Sequence, residues 1–327
     1  MKTKYLFFIG CLAMILLASC ENGDKEFDDY DYQTVYFAQQ TPIRTITLGT
    51  DVYSTELDNQ HKFQVKATVG GVWKNRQDRH IKVAVDNSLC DGLQFSDGTA
   101  VTPLPANYYS LESNDITIKK GDVRGGVTVD LTDAFFADPK ALTVHYVLPL
   151  RIVSADDSIL ANKSYILYAV KYKNKYDGCW LSHGTDELTV DGTTTTVKRD
   201  AEYVEKYDLR YLSSLSLQKV SYPVTYTATV GGASKTFNVN LILSFDGSDQ
   251  CSISTDTPGC TVSGSGTWTE AGAKKAWGDK DRDLLQLKYD VTFTFTDGGA
   301  TKTLHAVSND ELIMRDRQNK FETFSTK

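Results

Sequence analysis

From Gln33 onward, apolar and polar residues alternate with a period of two through nearly the whole chain, and this pattern restricts the fold more than any other feature. In Leu284–Phe295 the apolar set is Leu285, Leu287, Tyr289, Val291, Phe293 and Phe295. Lys235–Phe245 repeats it with Phe237, Val239, Leu241, Leu243 and Phe245, and His61–Val69 with Phe63, Val65, Ala67 and Val69. Successive side chains of a strand point to opposite faces, so each segment predicts a strand with one face on a core and the other in water. Pro149, inside the long run Leu142–Ile152, lacks a ladder donor and predicts an edge or a bulge there. Helical spacing is missing apart from a single turn at Phe135–Lys140. Gly70-Gly71, Asp97-Gly98, Asp191-Gly192, Gly231-Gly232, Asp246-Gly247 and Asp297-Gly298 fall between the runs as tight-turn signals. The fold class is therefore all-β.

At 327 residues the chain is long enough for two cores. Its first half has short, regularly spaced strands, which predict an antiparallel sandwich over residues 33–173. A polar passage from Lys173 to Gly178 marks the boundary. Longer up-and-down strands follow, and closing them into a barrel over 174–327 removes the edges that otherwise aggregate. The inward candidates Phe237, Leu241, Phe245, Tyr289, Phe293 and Phe295 are large. They predict a filled barrel, with any ligand at loops or at the junction between domains.

The N-terminus carries Lys2 and Lys4, then an apolar run from Leu6 to Ala18 that is too short to span a bilayer and has the form of a secretory signal. Leu17-Ala18-Ser19-Cys20 resembles the lipobox of bacterial lipoproteins. The resemblance implies a signal peptide over 1–19, cleavage before Cys20 and lipidation of that cysteine. Each buried methylene adds about 0.8 kcal/mol, so multiple acylation anchors a protein at a membrane. Residues 20–32 carry Glu21, Asp24, Glu26, Asp28, Asp29 and Asp31 against Lys25, a composition that stays solvated. This acidic tether is similar to the surface-export signal of Bacteroidota lipoproteins, and charge alone fits a plain linker equally well. The expected location is the outer membrane, lipid-anchored, facing the exterior.

A net charge of −7 argues against nucleic acid, which needs a basic face. Cys251 and Cys260 flank Thr257-Pro258-Gly259, where a disulfide across a hairpin and two free thiols are both open readings. No CxxC spacing suggests zinc, and His61, His80, His145, His183 and His305 lack metal-ligand spacing. Asp279-x-Asp281-x-Asp283 has Leu284 where a calcium loop needs its turn glycine, so no metal or other cofactor is expected. Neither a Gly-x-Ser-x-Gly elbow nor a dinucleotide or Walker loop occurs, and the chain reads as a non-enzyme. Aromatic residues in polar loops are the better lead, because a sugar ring stacks on an aromatic face while amides and charges take its hydroxyls. Trp73 with Asn75 and Arg76, and Trp277 with Asp279, are the candidate ligand-binding groups. Trp180 and Trp268 fall in strand patterns and are expected in the core.

Several stretches taken together carry a wider resemblance. They include Thr34-Val35-Tyr36-Phe37, Leu131-Thr132-Asp133-Ala134-Phe135-Phe136, Gly264-Ser265-Gly266-Thr267-Trp268, Trp277-Gly278-Asp279-Lys280-Asp281-Arg282 and Arg315-Asp316-Arg317. The chain resembles a family of Bacteroidota surface lipoproteins of poorly defined function. That implies an immunoglobulin-like sandwich, similar to the domain ahead of some family-18 glycoside hydrolases, followed by a calycin-like barrel, in a polysaccharide-utilisation setting. In calycins a Gly-x-Trp tryptophan packs under an arginine of the last strand, as Gly178-Cys179-Trp180 and Arg315 or Arg317 would here. No functional residue carries over. The resulting expectation is a non-catalytic protein that binds poly- or oligosaccharide beside neighbouring uptake proteins. Its alternatives are a hydrolase with an unrecognised carboxylate pair and a protein-binding adhesin.

Overall fold

The computed structural model describes residues 28–327. The signal, the lipobox with Cys20 and the first part of the tether lie outside the described residues. The first half contains β1 (Thr34–Tyr36), β2 (Pro42–Thr47), β3 (Lys62–Gly70), β4 (Arg79–Val85), β5 (Thr102–Pro103) and β6 (Tyr109–Leu111). It continues with β7 (Asp115–Ile118), β8 (Arg124–Leu131), β9 (Tyr146–Ala155), β10 (Ser158–Ile159) and β11 (Tyr165–Lys173). Two short helices interrupt them, α1 (Glu56–Asn59) and α2 (Asp133–Ala137). One sheet runs β10-β1-β3-β8-β6, and the other includes β2-β11-β9-β4-β7. The main ladders are antiparallel, while β1–β10, β2–β11 and β5–β9 are short parallel pairings.

Alternation does the folding work here. Phe63, Val65 and Ala67 of β3 meet Ile81, Leu148 and Leu150 between the sheets, and each large apolar side chain so buried contributes roughly 1.5–3 kcal/mol. The single turn at Phe135–Lys140 divides between α2 and a 3₁₀ turn at Pro139–Leu142, burying Phe135 and Phe136 against Tyr172. Pro149 corrects its expectation, because β9 is an inner strand. It stands where β9 changes partner from β5, at Tyr146 and Val147, to β4, at Leu150, so its missing N–H breaks no ladder bond.

The second half is a meander of β12 (Gly178–Val190), β13 (Thr193–Arg199), β14 (Asp208–Ser216), β15 (Lys219–Val230), β16 (Ala233–Phe245), β17 (Gln250–Thr255), β18 (Cys260–Trp277), β19 (Lys280–Asp297) and β20 (Ala300–Asp316). β12 pairs with β14 through its first part and with β13 through its second. Pairing of β12 with β20, from Cys179 opposite Asp316 to Val190 opposite Leu304, closes the barrel. Its interior is packed by Trp180, Phe237, Leu241, Phe245, Tyr289 and Phe293.

One part of that interior is ionic. Arg199 donates from Nε to Asp186 at 2.9 Å and also bonds Asp310, whose other oxygen accepts from Tyr222 at 2.8 Å and Tyr289 at 2.7 Å. Ser308 donates to Asp186 at 2.7 Å and meets the Tyr226 hydroxyl at 2.9 Å. Burial works against the Arg199 charge, but the two carboxylates outweigh it and raise its pKa further. Gly184 makes this insertion feasible, since a Cβ there would strike the Asn309 carbonyl oxygen and crowd the Arg199 guanidinium.

Candidate functional site

The two halves are locked together, and the site arises from how. In the linker, Asn174 is fully buried; its Oδ1 accepts from the Tyr176 and Asp177 N–H groups and its Nδ2 donates to the Ser216 and Lys219 carbonyls. Arg317, just past β20, is also fully buried. It donates to the carbonyls of Lys175, Asp177 (2.9 Å) and Thr50 (3.1 Å) and to Asp283 (3.0 Å), tying barrel, linker and sandwich at one guanidinium. Gly49 must be glycine there: its φ is +86°, and a Cβ would lie 2.8 Å from Arg317 Nη2. The chain then returns to the sandwich as β21 (Glu322–Thr323), antiparallel to β2, with Phe324 edge-on to Phe95.

Beside this lock lies a cavity of about 430 Å³ between the halves. The sandwich contributes Leu48, Gly49, Thr50, Asn59 and His61; the linker contributes Lys175 and Tyr176; the barrel contributes Leu217, Gln218, Asp246, Asp249, Trp268 and Glu270. Its aromatic wall is built in layers. Tyr176 stacks on Phe245 at 3.6 Å and meets Trp268 edge-on at 5.7 Å, while Lys175 Nζ lies 4.2 Å over the Trp268 ring. Asp249 accepts from the Tyr176 hydroxyl at 2.6 Å and pairs with Lys175 at 2.7 Å. Burial, then Asp249, drives the Tyr176 pKa strongly up, so this phenol stays a donor. The Trp268 indole N–H is buried without a hydrogen-bond partner. Gln218 and Glu270 stand exposed on the rim. Three carboxylates against one lysine make this a poor seat for an anion and a good one for an uncharged polyol.

The residues singled out in the sequence do not converge. Trp73 lies 54% exposed in the β3–β4 loop, its backbone N–H donating to Asp29 at 2.6 Å, and Arg76 pairs with the same carboxylate at 2.8 Å. Asn75 is buried and fully engaged: it donates to the Lys119 and Asp122 carbonyls and accepts from Arg79 Nε at 2.9 Å. That geometry corrects its assignment as a ligand group, because its amide already binds the β7–β8 turn. Trp277 and Asp279 sit at the far tip of the β18–β19 hairpin, in the other half of the chain. Arg315 lies 5.8 Å over the Trp277 ring, and Asp279 is exposed with φ +54° in the turn.

Cys251 and Cys260 are free thiols, which decides between the two readings of that pair. Cys251 stands opposite Gly266, six positions along β18 from Cys260, and six strand residues span about 20 Å, far beyond disulfide reach. Burial pushes the Cys251 thiol up to about 12, leaving it unreactive. Among the described residues no group of three His, Cys, Asp or Glu is placed to hold a metal. Trp268 is buried, as its place in a strand pattern predicts, yet it also walls the junction cavity. No sequence signal joins it to Lys175 and His61, because the three lie far apart along the chain and meet only where the two halves pack.

Fold and site together define an all-β protein whose sandwich and closed barrel meet at a cleft. A family described as a domain of unknown function, DUF5627, matches residues 175–318, and an N-terminal domain family matches residues 30–159. No curated protein matches the chain. A Bacteroides ovatus protein of unknown function, with a crystal structure at 2.40 Å, is 35% identical; the match covers 91% of this chain and 99% of that one, with a TM-score of 0.80. This chain belongs to the same family, a Bacteroidota family of unknown function. A second Bacteroides ovatus protein of unknown function is 18% identical over 90% of this chain and 99% of its own, with a TM-score of 0.41. An auxiliary nutrient binding protein from Bacteroides thetaiotaomicron is 15% identical over 86% of this chain and 95% of its own, at 0.39. Those two scores are too low to bear on the site.

Proposed function

We propose that this protein is a non-catalytic, lipid-anchored surface protein that captures neutral glycans for a polysaccharide-uptake system. On this reading Cys20 carries the lipid, the acidic stretch after it is the tether, docked at its far end where Asp29 meets Arg76 and the Trp73 N–H rather than solvated to residue 32, and an immunoglobulin-like and a calycin-like domain form the cargo outside the cell. The observation that carries it is the junction cavity. Beside the buried rings of Tyr176 and Trp268, the second covered by Lys175 at 4.2 Å, it sets a rim of amide and carboxylate groups, hydrogen-bonding partners for sugar hydroxyls. Its walls are fixed by the Arg317 lock, so little ordering entropy is lost on binding.

A glycan array probed with the full chain tests the reading. Binding to at least one neutral plant or host glycan is expected, and none above background would overturn it. The rim variant Gln218→Ala/Glu270→Ala should weaken that binding by about tenfold or more, as two lost hydrogen bonds would, while leaving the melting temperature unchanged.

A further inference from the structure

The outer wall of the barrel carries an arrangement that neither the fold nor the junction cavity requires. Gln250, Thr267, Gln286, Glu311 and His183 stand directly opposite one another on β17, β18, β19, β20 and β12, one continuous row across five strands. All point away from the core, and all can donate or accept hydrogen bonds. Neighbours in the row already bond: Thr267 to Gln250 at 2.8 Å, Gln286 to Glu311 at 3.1 Å, and His183 to Glu311 at 3.1 Å. Two residues along, Ser265, Lys288 and Asn309 form a second polar row in the same register. At about 4.8 Å per strand the first row runs about 19 Å across the sheet and the second about 10 Å.

Solvent-facing sheet surfaces are ordinarily polar, but this one is also concave. The two rows line a groove of about 520 Å³, the outer surface curving inward along the strands. The Tyr207 ring packs on His183 at 4.6 Å and holds the imidazole at the end of the first row. Charge selects the occupant. Glu311 is met by His183, Lys288 stands alone in the second row, and the Asp310 carboxylate turns inward to Arg199. No sign of charge dominates, which disfavours nucleic acid, anionic lipid and sulfated chains alike. A neutral polyol with a donor and an acceptor on every ring fits the alternation of amide, hydroxyl and carboxylate.

We propose that this groove is a second glycan-binding site, which takes an extended neutral polysaccharide laid across the strands and held by hydrogen bonds to the two polar rows. The inference rests on the glycan reading of the protein but not on the junction cavity. The test uses the full chain in native gels cast with starch, xylan, galactomannan or α-mannan, with chondroitin sulfate as the charged control. Wild type should be retarded by at least one neutral polymer and not by chondroitin sulfate. Gln250→Ala/Gln286→Ala should lose at least tenfold in affinity for that polymer, and Ser265→Trp should abolish binding by filling the groove. Both variants alter exposed positions, and circular dichroism and melting temperature report whether they fold as wild type. Equal retardation of wild type and both folded variants would overturn the outer site while leaving the glycan reading standing. A wild type retarded by none of the neutral polymers would overturn both.

Discussion

Two buried arginines show how single residues fix this molecule. Arg317 has no exposed surface, and its partner Asp283 is almost as deeply buried, so removing the guanidinium leaves a buried carboxylate with the Ala271 N–H at 3.1 Å in place of its counter-ion. Arg317→Met should therefore destabilise the protein by about 3–5 kcal/mol, read as a shift in the urea midpoint. An unchanged midpoint would mean that the lock carries no stability. Arg199 differs in kind, since Asp310 keeps two tyrosine hydroxyls and Asp186 keeps Ser308 when the guanidinium is lost. Arg199→Met should cost less than Arg317→Met in the same titration. The opposite order would mean that these hydroxyls do not compensate the two carboxylates.

At the scale of elements, the returning strand β21 ties the end of the chain to the sandwich by a short ladder. It has two paired positions with β2, and Glu322 reaches Lys171 of β11 at 2.9 Å. The hydrogen bond from Lys171 holds the Glu322 carboxyl below its ordinary value of 4.5, burial opposing. A depressed folded pKa means that this stabilisation is fully present above pH 4.5 and is lost as the pH falls below it. The effect is below about 1 kcal/mol for a pair this accessible. Hydrogen exchange, corrected for intrinsic rates, should show residues 321–324 less protected at pH 3.5 than at pH 7, with the barrel strands unchanged. Equal protection at both values would exclude the pair as a contributor.

At the scale of the whole molecule, the anchor and the folded body should be separable. Cys20 precedes the first described residue by eight positions, a span of at most about 29 Å. Cys20→Ala should release the protein from the membrane fraction while its melting temperature stays within a degree of the unlipidated wild type. A variant still membrane-bound after a high-salt wash would rule out lipidation as the anchor. Within the body, the Arg317 lock and the paired β21 predict one unfolding transition for both halves. Two resolved calorimetric peaks would show that they unfold apart.

Local pattern determined the β architecture. Strands in Leu284–Phe295 and Lys235–Phe245 follow from alternation alone, because a side chain's face depends only on its position along the strand. Even the ionic interior left a trace, for Ser308 and Asp310 interrupt the apolar series Leu304, Ala306 and Leu312 on the inward face of β20. The sites were less legible. Asn75 looks like a free loop amide until the β7–β8 turn supplies carbonyls for it, and Cys251 and Cys260 look adjacent until register sets them six strand positions apart. Trp268, Lys175 and His61 share a wall only because the linker turn and Arg317 bring two domains into contact. Gln250, Thr267, Gln286, Glu311 and His183 share a row only because five strands align. A sequence specifies which face each residue takes through short-range geometry, whereas which faces meet depends on strand register and domain docking, interactions between residues far apart along the chain.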